Sequence, residues 1–229
     1  MPARQLHPAS TFAAVTVDVV VLSTTDKGLV VLLERPALSA AHSQWSLPQD
    51  VPRGGETLHY AARRIARGII GGEPSWLEQY VTIGNCSRGW EGGRANVAYL
   101  ALVPGPAIPP LGGKKAWFSP SSLPKMRIPQ SEIIAVSLRA ARDRMDNVPI
   151  AFKLLPPLFT LAELQLIYEI LLGRKIHKAS FRRALRAARL VTPVKKWRSE
   201  GRGRPAQLYR YAPRRKRSLH RALRFDRLA

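Results

Sequence analysis

The feature that most constrains the fold is a capped helix pattern near the C-terminal end of the chain. Thr160 is followed three residues later by Glu163, the spacing of a capping box. In such a box the hydroxyl and the carboxylate each accept a hydrogen bond from a backbone amide that the helix leaves unpaired. Apolar residues then recur at helical spacing as far as Gly173, a residue type that often ends helices. The sequence therefore predicts a helix from Thr160 to Gly173.

A second helix is predicted at about residues 178–189, and its polar side carries only positive charge. Its apolar stripe is short and consists of Phe181, Leu185 and Ala188. Solvated helix faces usually mix the two signs of charge, whereas this helix contains no acid, so the pattern favours a DNA-reading helix over a merely solubilising face. The candidate DNA contacts on it are Lys178, Ser180, Arg182, Arg183 and Arg186.

Two β-prone runs follow, at 191–197 and 206–211, and they predict a hairpin with a tip rich in Gly, Arg and Pro. Two helices and a basic hairpin in this order describe a winged helix-turn-helix, whose second helix can lie in the major groove of DNA. The hairpin would add contacts to the DNA backbone or the minor groove, although a mobile basic loop remains the alternative for each cation singly. Its candidate contacts are Lys195, Lys196, Arg198, Arg202 and Arg204.

The charge of the chain is concentrated at the same end. Residues 174–229 hold twenty Lys and Arg against two acids, which leaves +18 of the total formal charge of +22 in the last quarter. Such asymmetry indicates a polyanionic partner, either nucleic acid or an anionic membrane surface. The Arg-rich helix lacks the strong apolar face that membrane binding requires, so we expect DNA and no membrane.

Cysteine usage and hydropathy limit the cellular setting. Cys86 is the only cysteine, which excludes an internal disulfide framework and fits a reducing cytoplasm. The longest apolar runs are strand-sized, so no segment is expected to span a bilayer. The histidines lack ligand spacing with Cys or carboxylates, so we predict no metal site.

The N-terminal two thirds of the chain mixes strand and helix patterns. Strands are predicted at 14–23, 29–34, 80–84 and 95–103, and helices at about 57–71 and 131–145. The fold class is therefore α+β.

Residues 45–72 resemble a Nudix box, the signature of diphosphate hydrolases. The match rests on Leu47–Pro48, Glu56, Arg64 and Gly71. In that family three further glutamates hold the divalent cations, and here those positions are Ile65, Gly68 and Ile69. Mg²⁺ requires oxygen ligands that Ile and Gly do not supply, so we predict that no catalytic residue and no metal site remain.

The order of segments over residues 11–212 is similar to that of Nudix-related transcriptional regulators of the NrtR type. The motifs that carry this resemblance are WLEQYVTIG, RANVAYLALVP, LLPPLFTLAELQLIYEILLG, FRRALRAARL and RGRPAQLYRY. The resemblance implies a Nudix-like α/β/α sandwich domain followed by a C-terminal winged helix-turn-helix domain. The expected divisions are a sensor and dimerisation domain at 11–125, a linker helix and connector at 126–157, the DNA-binding domain at 158–212 and a basic tail at 213–229.

The resemblance also implies a function. The chain would be a repressor of genes of NAD metabolism that binds a palindromic operator as a homodimer in the bacterial cytoplasm, at the nucleoid. It would need no cofactor, and ADP-ribose or a related nucleotide would be its effector. An active diphosphohydrolase with a nucleic-acid-binding appendage and a ligand-independent DNA-binding regulator remain as alternatives.

The candidate effector contacts are Glu56, Arg64, Glu78, Arg88 and Arg94. Arg64 would face a nucleotide diphosphate, or else form an internal ion pair with Glu56 at the start of its helix. The second interpretation is preferred because the metal ligands of the box are missing.

Overall fold

The computed structural model describes residues 14–35, 44–85, 94–105, 113–126, 128–146, 149–199 and 205–212. The strands are β1 (Ala14–Thr25), β2 (Gly28–Glu34), β3 (Gln49–Asp50), β4 (Trp76–Asn85), β5 (Arg94–Leu102), β6 (Lys115–Phe118), β7 (Val191–Arg198) and β8 (Ala206–Tyr211). The helices are α1 (Leu58–Ile70), α2 (Ile128–Asp143), α3 (Ile150–Lys153), α4 (Leu161–Leu172) and α5 (Lys178–Ala188), with a 3-10 turn at Arg144–Asp146 after α2.

The N-terminal part is built around a mixed sheet in the order β4-β5-β1-β2-β6, with β3 paired to β1. The central strands β1 and β5 run parallel, and the remaining pairs are antiparallel. Alternate residues of a strand face opposite sides of its sheet. Val17, Val19 and Val21 pack with α1, while Val20 and Leu22 belong to the cluster on the side of α2. One helix on each face makes a sandwich, which confirms the predicted α+β fold.

Helix α1 has the bounds that its sequence predicts. The Thr57 hydroxyl caps its first turn by accepting from the amide of Tyr60 at 3.2 Å. Gly71 ends the helix in the left-handed conformation, with φ at 73°. Such a φ is unfavourable for a residue with a Cβ atom, which explains why a glycine stands there.

The C-terminal part contains the predicted pair of helices and the hairpin. The capping box at the start of α4 is present, since Glu163 N donates to Thr160 Oγ1 at 3.2 Å and Thr160 N donates to Glu163 Oε2 at 2.6 Å. Strands β7 and β8 form the hairpin, and the backbone of Phe159 pairs with Tyr209 of β8 through two hydrogen bonds of 3.0 and 2.7 Å. The hairpin is thereby attached to the start of α4.

Helix α2 is a structural layer of the sandwich as well as the connection to the C-terminal part. Its Ile133, Ile134 and Ala141 are buried in one cluster with the sheet residues Leu100 and Leu102. The same cluster continues through α3 into α4 and α5, so a single apolar core runs from the sheet to the winged helix. The connector expected at 126–157 is thus packed along most of its described length.

The sequence patterns do not reveal β3, β6 and α3. These elements have two, four and four residues, too few for a periodic signal. In the described part of the chain, no helix combines the length and apolarity needed to cross a membrane.

Candidate nucleic-acid interface

Helix α5 is fixed by its apolar side. Phe181 and Leu185 are buried, and the Phe181 ring packs edge-to-face on Tyr168 of α4 with 5.6 Å between ring centroids. Aromatic pairs in this geometry add to the stabilisation that burial gives. Because these two side chains are buried, the opposite side of the helix faces solvent and its polar side chains extend from a fixed backbone.

The exposed side of α5 carries cations that have no acidic partner in the part of the chain that the structure describes. Lys178, Arg182, Arg183 and Arg186 are all exposed. None of them belongs to the ion pairs found within 4.0 Å among the described residues. The predicted DNA-contacting cations of this helix therefore share one surface that is free to receive an anion. Ser180 is half-buried, with its hydroxyl 3.3 Å from Nδ1 of His177 at the N-terminus of the helix.

The wing is the hairpin of β7 and β8. Two of its predicted DNA contacts are exposed to solvent, and a third is hydrogen-bonded within the protein. Lys195 and Lys196 are exposed on β7. Arg198 instead donates from Nη1 to Glu163 Oε1 at 2.6 Å and from Nη2 to the carbonyl of Leu158 at 3.3 Å. The structure thus places Arg198 as a tether between wing and α4, a role that its sequence neighbourhood does not reveal. The predicted contacts Arg202 and Arg204 lie outside the described residues.

Trp197 is a surface feature that the sequence analysis does not single out. It sits on β7 between Lys196 and Arg198, and 59% of its surface is exposed. A tryptophan in a strand is ordinarily a core residue, so its sequence position gives no signal of exposure. Its exposed ring lies on the same strand as the exposed Lys195 and Lys196 and adds to the candidate DNA-facing surface of the wing.

The second group of candidates surrounds the start of α1. Arg64 donates from Nε and Nη2 to the two carboxylate oxygens of Glu56 at 2.8 and 2.9 Å, and from Nη1 to Asp50 Oδ2 at 2.6 Å. The predicted internal ion pair between Arg64 and Glu56 is therefore present, with Asp50 as an additional partner. The Arg64 hydrogen bond, followed by the amide of Arg53, lowers the pKa of Glu56 to about 2. The same pairing raises the pKa of Arg64 and lowers that of Asp50.

This region does not fit a divalent cation. Both oxygens of Glu56 already accept from Arg64, and Oε2 also accepts from the amide of Arg53 at 2.9 Å. Ile65, Gly68 and Ile69 carry no side-chain oxygen. Among the described residues, no group of three or more His, Cys, Asp or Glu side chains is placed to hold a metal ion.

The other effector candidates do not join this cluster. Glu78 pairs in register with Leu100, which faces α2, so it lies on the opposite side of the sheet from α1. There Glu78 Oε2 is 3.5 Å from Arg144 Nη1. Arg94 begins β5, but its side chain lies outside the described residues, as does Arg88 entirely.

A mixed-sheet sandwich joined to a winged helix whose second helix exposes a row of cations defines a two-part protein of the DNA-binding class. Residues 151–211 match the family described as NrtR DNA-binding winged helix domain. The "ADPR responsive transcriptional repressor NtrR" of Acinetobacter baylyi is 29% identical over 205 residues, which cover 86% of this chain and 81% of that protein.

Solved structures agree with this class. NrtR of Shewanella oneidensis in complex with a 27mer DNA superposes with a TM-score of 0.76 at 29% identity, covering 87% of this chain and 94% of that one. A MutT/nudix family protein of Enterococcus faecalis has a TM-score of 0.71 at 20% identity over 88% of each chain, a likeness of fold alone. Residues 151–211 thus match an NrtR winged helix domain, and most of the chain is similar in sequence and fold to regulators of the NrtR type.

Proposed function

We propose that this protein is a transcriptional repressor of genes of NAD or pyridine-nucleotide metabolism. It binds a palindromic DNA operator as a homodimer, and its Nudix-like domain senses ADP-ribose or a related nucleotide. The single observation that carries the proposal is the surface of α5, where exposed cations with no ion-pair partner in the described part of the chain stand on a buried aromatic anchor. The names of the Acinetobacter and Shewanella relatives support the repressor activity, the nucleotide effector and the DNA partner.

The DNA-binding roles follow from side-chain chemistry. Arginine can donate two hydrogen bonds to guanine O6 and N7 in the major groove, so α5 supplies base-reading groups. Lys195 and Lys196 on β7 neutralise backbone phosphates, which positions the protein without reading sequence. In a dimer, two α5 helices would meet half-sites one helical turn, or a multiple of it, apart.

The Nudix-like domain is proposed to bind without hydrolysing. The argument rests on the chemistry of the degenerate box, because a hard divalent cation needs oxygen ligands that Ile65, Gly68 and Ile69 lack. The two remaining acids, Glu56 and Asp50, are engaged by Arg64. Arg64 accordingly holds the loop before α1 in place. Such a protein would act on DNA in the cytoplasm.

The decisive experiment is genome-wide mapping of the sites that the protein occupies. The expected result is a small set of palindromic sites next to genes of pyridine-nucleotide metabolism. Occupancy without a shared sequence would contradict a specific regulator, and sites next to unrelated genes would contradict the assigned pathway.

Two assays on the purified protein then test the Nudix-like domain. ADP-ribose titrated into a protein–operator complex should release the DNA, and incubation with ADP-ribose or NADH and Mg²⁺ should give no turnover. An operator complex that persists at millimolar ADP-ribose would favour a ligand-independent regulator. Mg²⁺-dependent turnover would favour the hydrolase.

A further inference from the structure

A groove of about 590 Å³ separates α5 from the wing. Arg182, Arg186 and Arg189 line it from the helix side, and Thr192 and Tyr209 line it from the hairpin side. The three arginines are spaced four and three residues apart, which places them on one face of the helix end. Three guanidinium groups, which are spread over eight positions of the sequence, therefore line the same groove.

The positive charges in this groove face no acidic partner among the residues that the structure describes. Arg182, Arg186 and Arg189 take no part in any ion pair among the described residues. Three like charges converging on one cavity repel each other, and the repulsion is relieved when an anion enters between them. Thr192 and Tyr209, which line the opposite wall, are residues whose hydroxyls can donate hydrogen bonds.

The backbone of Arg189 gives an independent indication. It caps α5 in the left-handed conformation with φ at 51°, and in the described part of the chain it is the only non-glycine residue with a positive φ. Helices α1 and α4 fill the same position with Gly71 and Gly173. A left-handed φ is costly for an arginine and nearly free for a glycine. A residue kept in a strained conformation points to a role for its side chain.

The hairpin wall of the groove is held in place. The backbone pairing between Phe159 and Tyr209 fixes β8 against the start of α4, and Leu208 beside it is buried. On the helix side, Leu185 is buried at the base of the groove. The site is therefore preorganised, which reduces the entropy lost when an anion binds.

We propose that this groove binds one backbone phosphate of duplex DNA, where a strand passes between α5 and the wing. Arg182, Arg186 and Arg189 donate to the phosphate oxygens, an interaction for which the planar guanidinium is well suited. The proposal rests on the proposed DNA-binding function and refines it. In this arrangement Arg182 and Arg186 contact the DNA backbone. Arg183, which is exposed but does not line the groove, is left to contact the bases.

The experiment measures the affinity of the full chain for a 30-base-pair mixed-sequence duplex between 50 and 200 mM KCl. Each phosphate contact contributes about 0.9 to the slope of log affinity against log salt. Arg189→Gly combined with Arg182→Ala and Arg186→Ala should lower that slope by about 0.9, a relative change of about 3.5-fold over this salt range, because together they remove the one phosphate contact. Arg189→Gly alone should remove part of that slope. The loss should be equal on the mapped operator and on the mixed duplex, because a phosphate contact carries no sequence information.

Three further measurements separate this role from a structural one. Arg189→Gly should melt at the same temperature as the wild type or higher, because glycine relieves the backbone strain. Arg189→Lys should keep most of the salt slope, because it keeps the charge. Arg63→Ala on α1, where the arginine is paired with Glu73, should leave the slope unchanged.

A salt slope that Arg189→Gly leaves intact would overturn the proposal, as would a loss confined to the operator. A wild-type chain that binds no duplex at all would instead refute the proposed function. The two failures are therefore distinguishable.

Discussion

Helices α1 and α5 carry nearly the same local pattern and put it to opposite uses. The run RRIAR begins at Arg63 in α1, and the run RRALR begins at Arg182 in α5. In α1 every arginine of the run is paired, Arg63 and Arg67 with Glu73 and Arg64 with Glu56 and Asp50. In the described structure around α5, no arginine of the run has a carboxylate partner. Whether a cation is structural or available for binding depends on which acids the fold places beside it.

The acids that neutralise α1 come from outside the helix. Asp50 belongs to β3, Glu56 precedes the helix and Glu73 follows it. Through these pairs the three arginine side chains connect α1 to the loops before and after it. Residues 174–199 contain no acid, so no neighbouring side chain in this segment neutralises the cations of α5, and their positive potential can attract an anionic partner. The contrast predicts that arginines of the two helices respond differently to substitution.

The largest expected effect is that of Arg183→Ala on operator binding. Losing one base-reading arginine should cost roughly 5- to 150-fold in affinity for the operator, with the melting temperature nearly unchanged because the side chain is exposed. Binding is measured by fluorescence anisotropy and stability by calorimetry. The matched control is Arg67→Ala in α1, which should not affect DNA binding. Unaltered operator affinity would remove Arg183 from the interface.

A smaller effect, and one on stability instead of binding, is expected for Arg64→Met. Removing the guanidinium deprives Glu56 and Asp50 of the counter-charge to which both are hydrogen-bonded, so the melting temperature should fall by a few degrees. Affinity for a mixed-sequence duplex should stay the same. Arg67→Met, whose side chain is more exposed, should cost less stability. A loss of DNA affinity comparable with that of Arg183→Ala would break the contrast between the two helices.

The smallest expected effect is the pH dependence that Glu56 confers. Its pKa lies near 2 in the folded protein, below the usual 4.5, so its stabilising contribution is complete above about pH 4.5 and is lost as the pH falls toward 2. Glu56→Gln should therefore be less stable than the wild type at pH 7, and the difference should shrink on acidification. Urea denaturation at several pH values measures it. Glu132→Gln, on the exposed side of α2, is the control, and a difference independent of pH would contradict the ion-pair assignment.

Local chemistry made the helix bounds predictable. Thr57 and Gly71 delimit α1, and Thr160 and Gly173 delimit α4, because a cap acts on amides and carbonyls within a few residues of itself. The internal pairing of Arg64 with Glu56 was also predictable, since both lie within one recognisable motif. The predicted contacts Arg88, Arg202 and Arg204 lie outside the described residues and stay predictions.

Features that depend on distant parts of the chain could not be predicted. Arg198 looks like any other cation of the wing, and its partner Glu163 is 35 residues away. Arg189 follows its helix pattern smoothly, and only the backbone conformation distinguishes it from the arginines before it. Glu78 is assigned to the face of α2 by the register of β4 on β5, which no sequence period specifies.

The ion pair between Glu163 and Arg198 has a mechanical consequence. One carboxylate group closes the first turn of α4 and also holds the hairpin, so the angle between the helices and the wing is set within a single compact block. Motion transmitted through α2 and α3 would turn this block as a whole. In the proposed homodimer, the quantity left for the proposed effector to adjust would be the separation of the two blocks along the DNA axis.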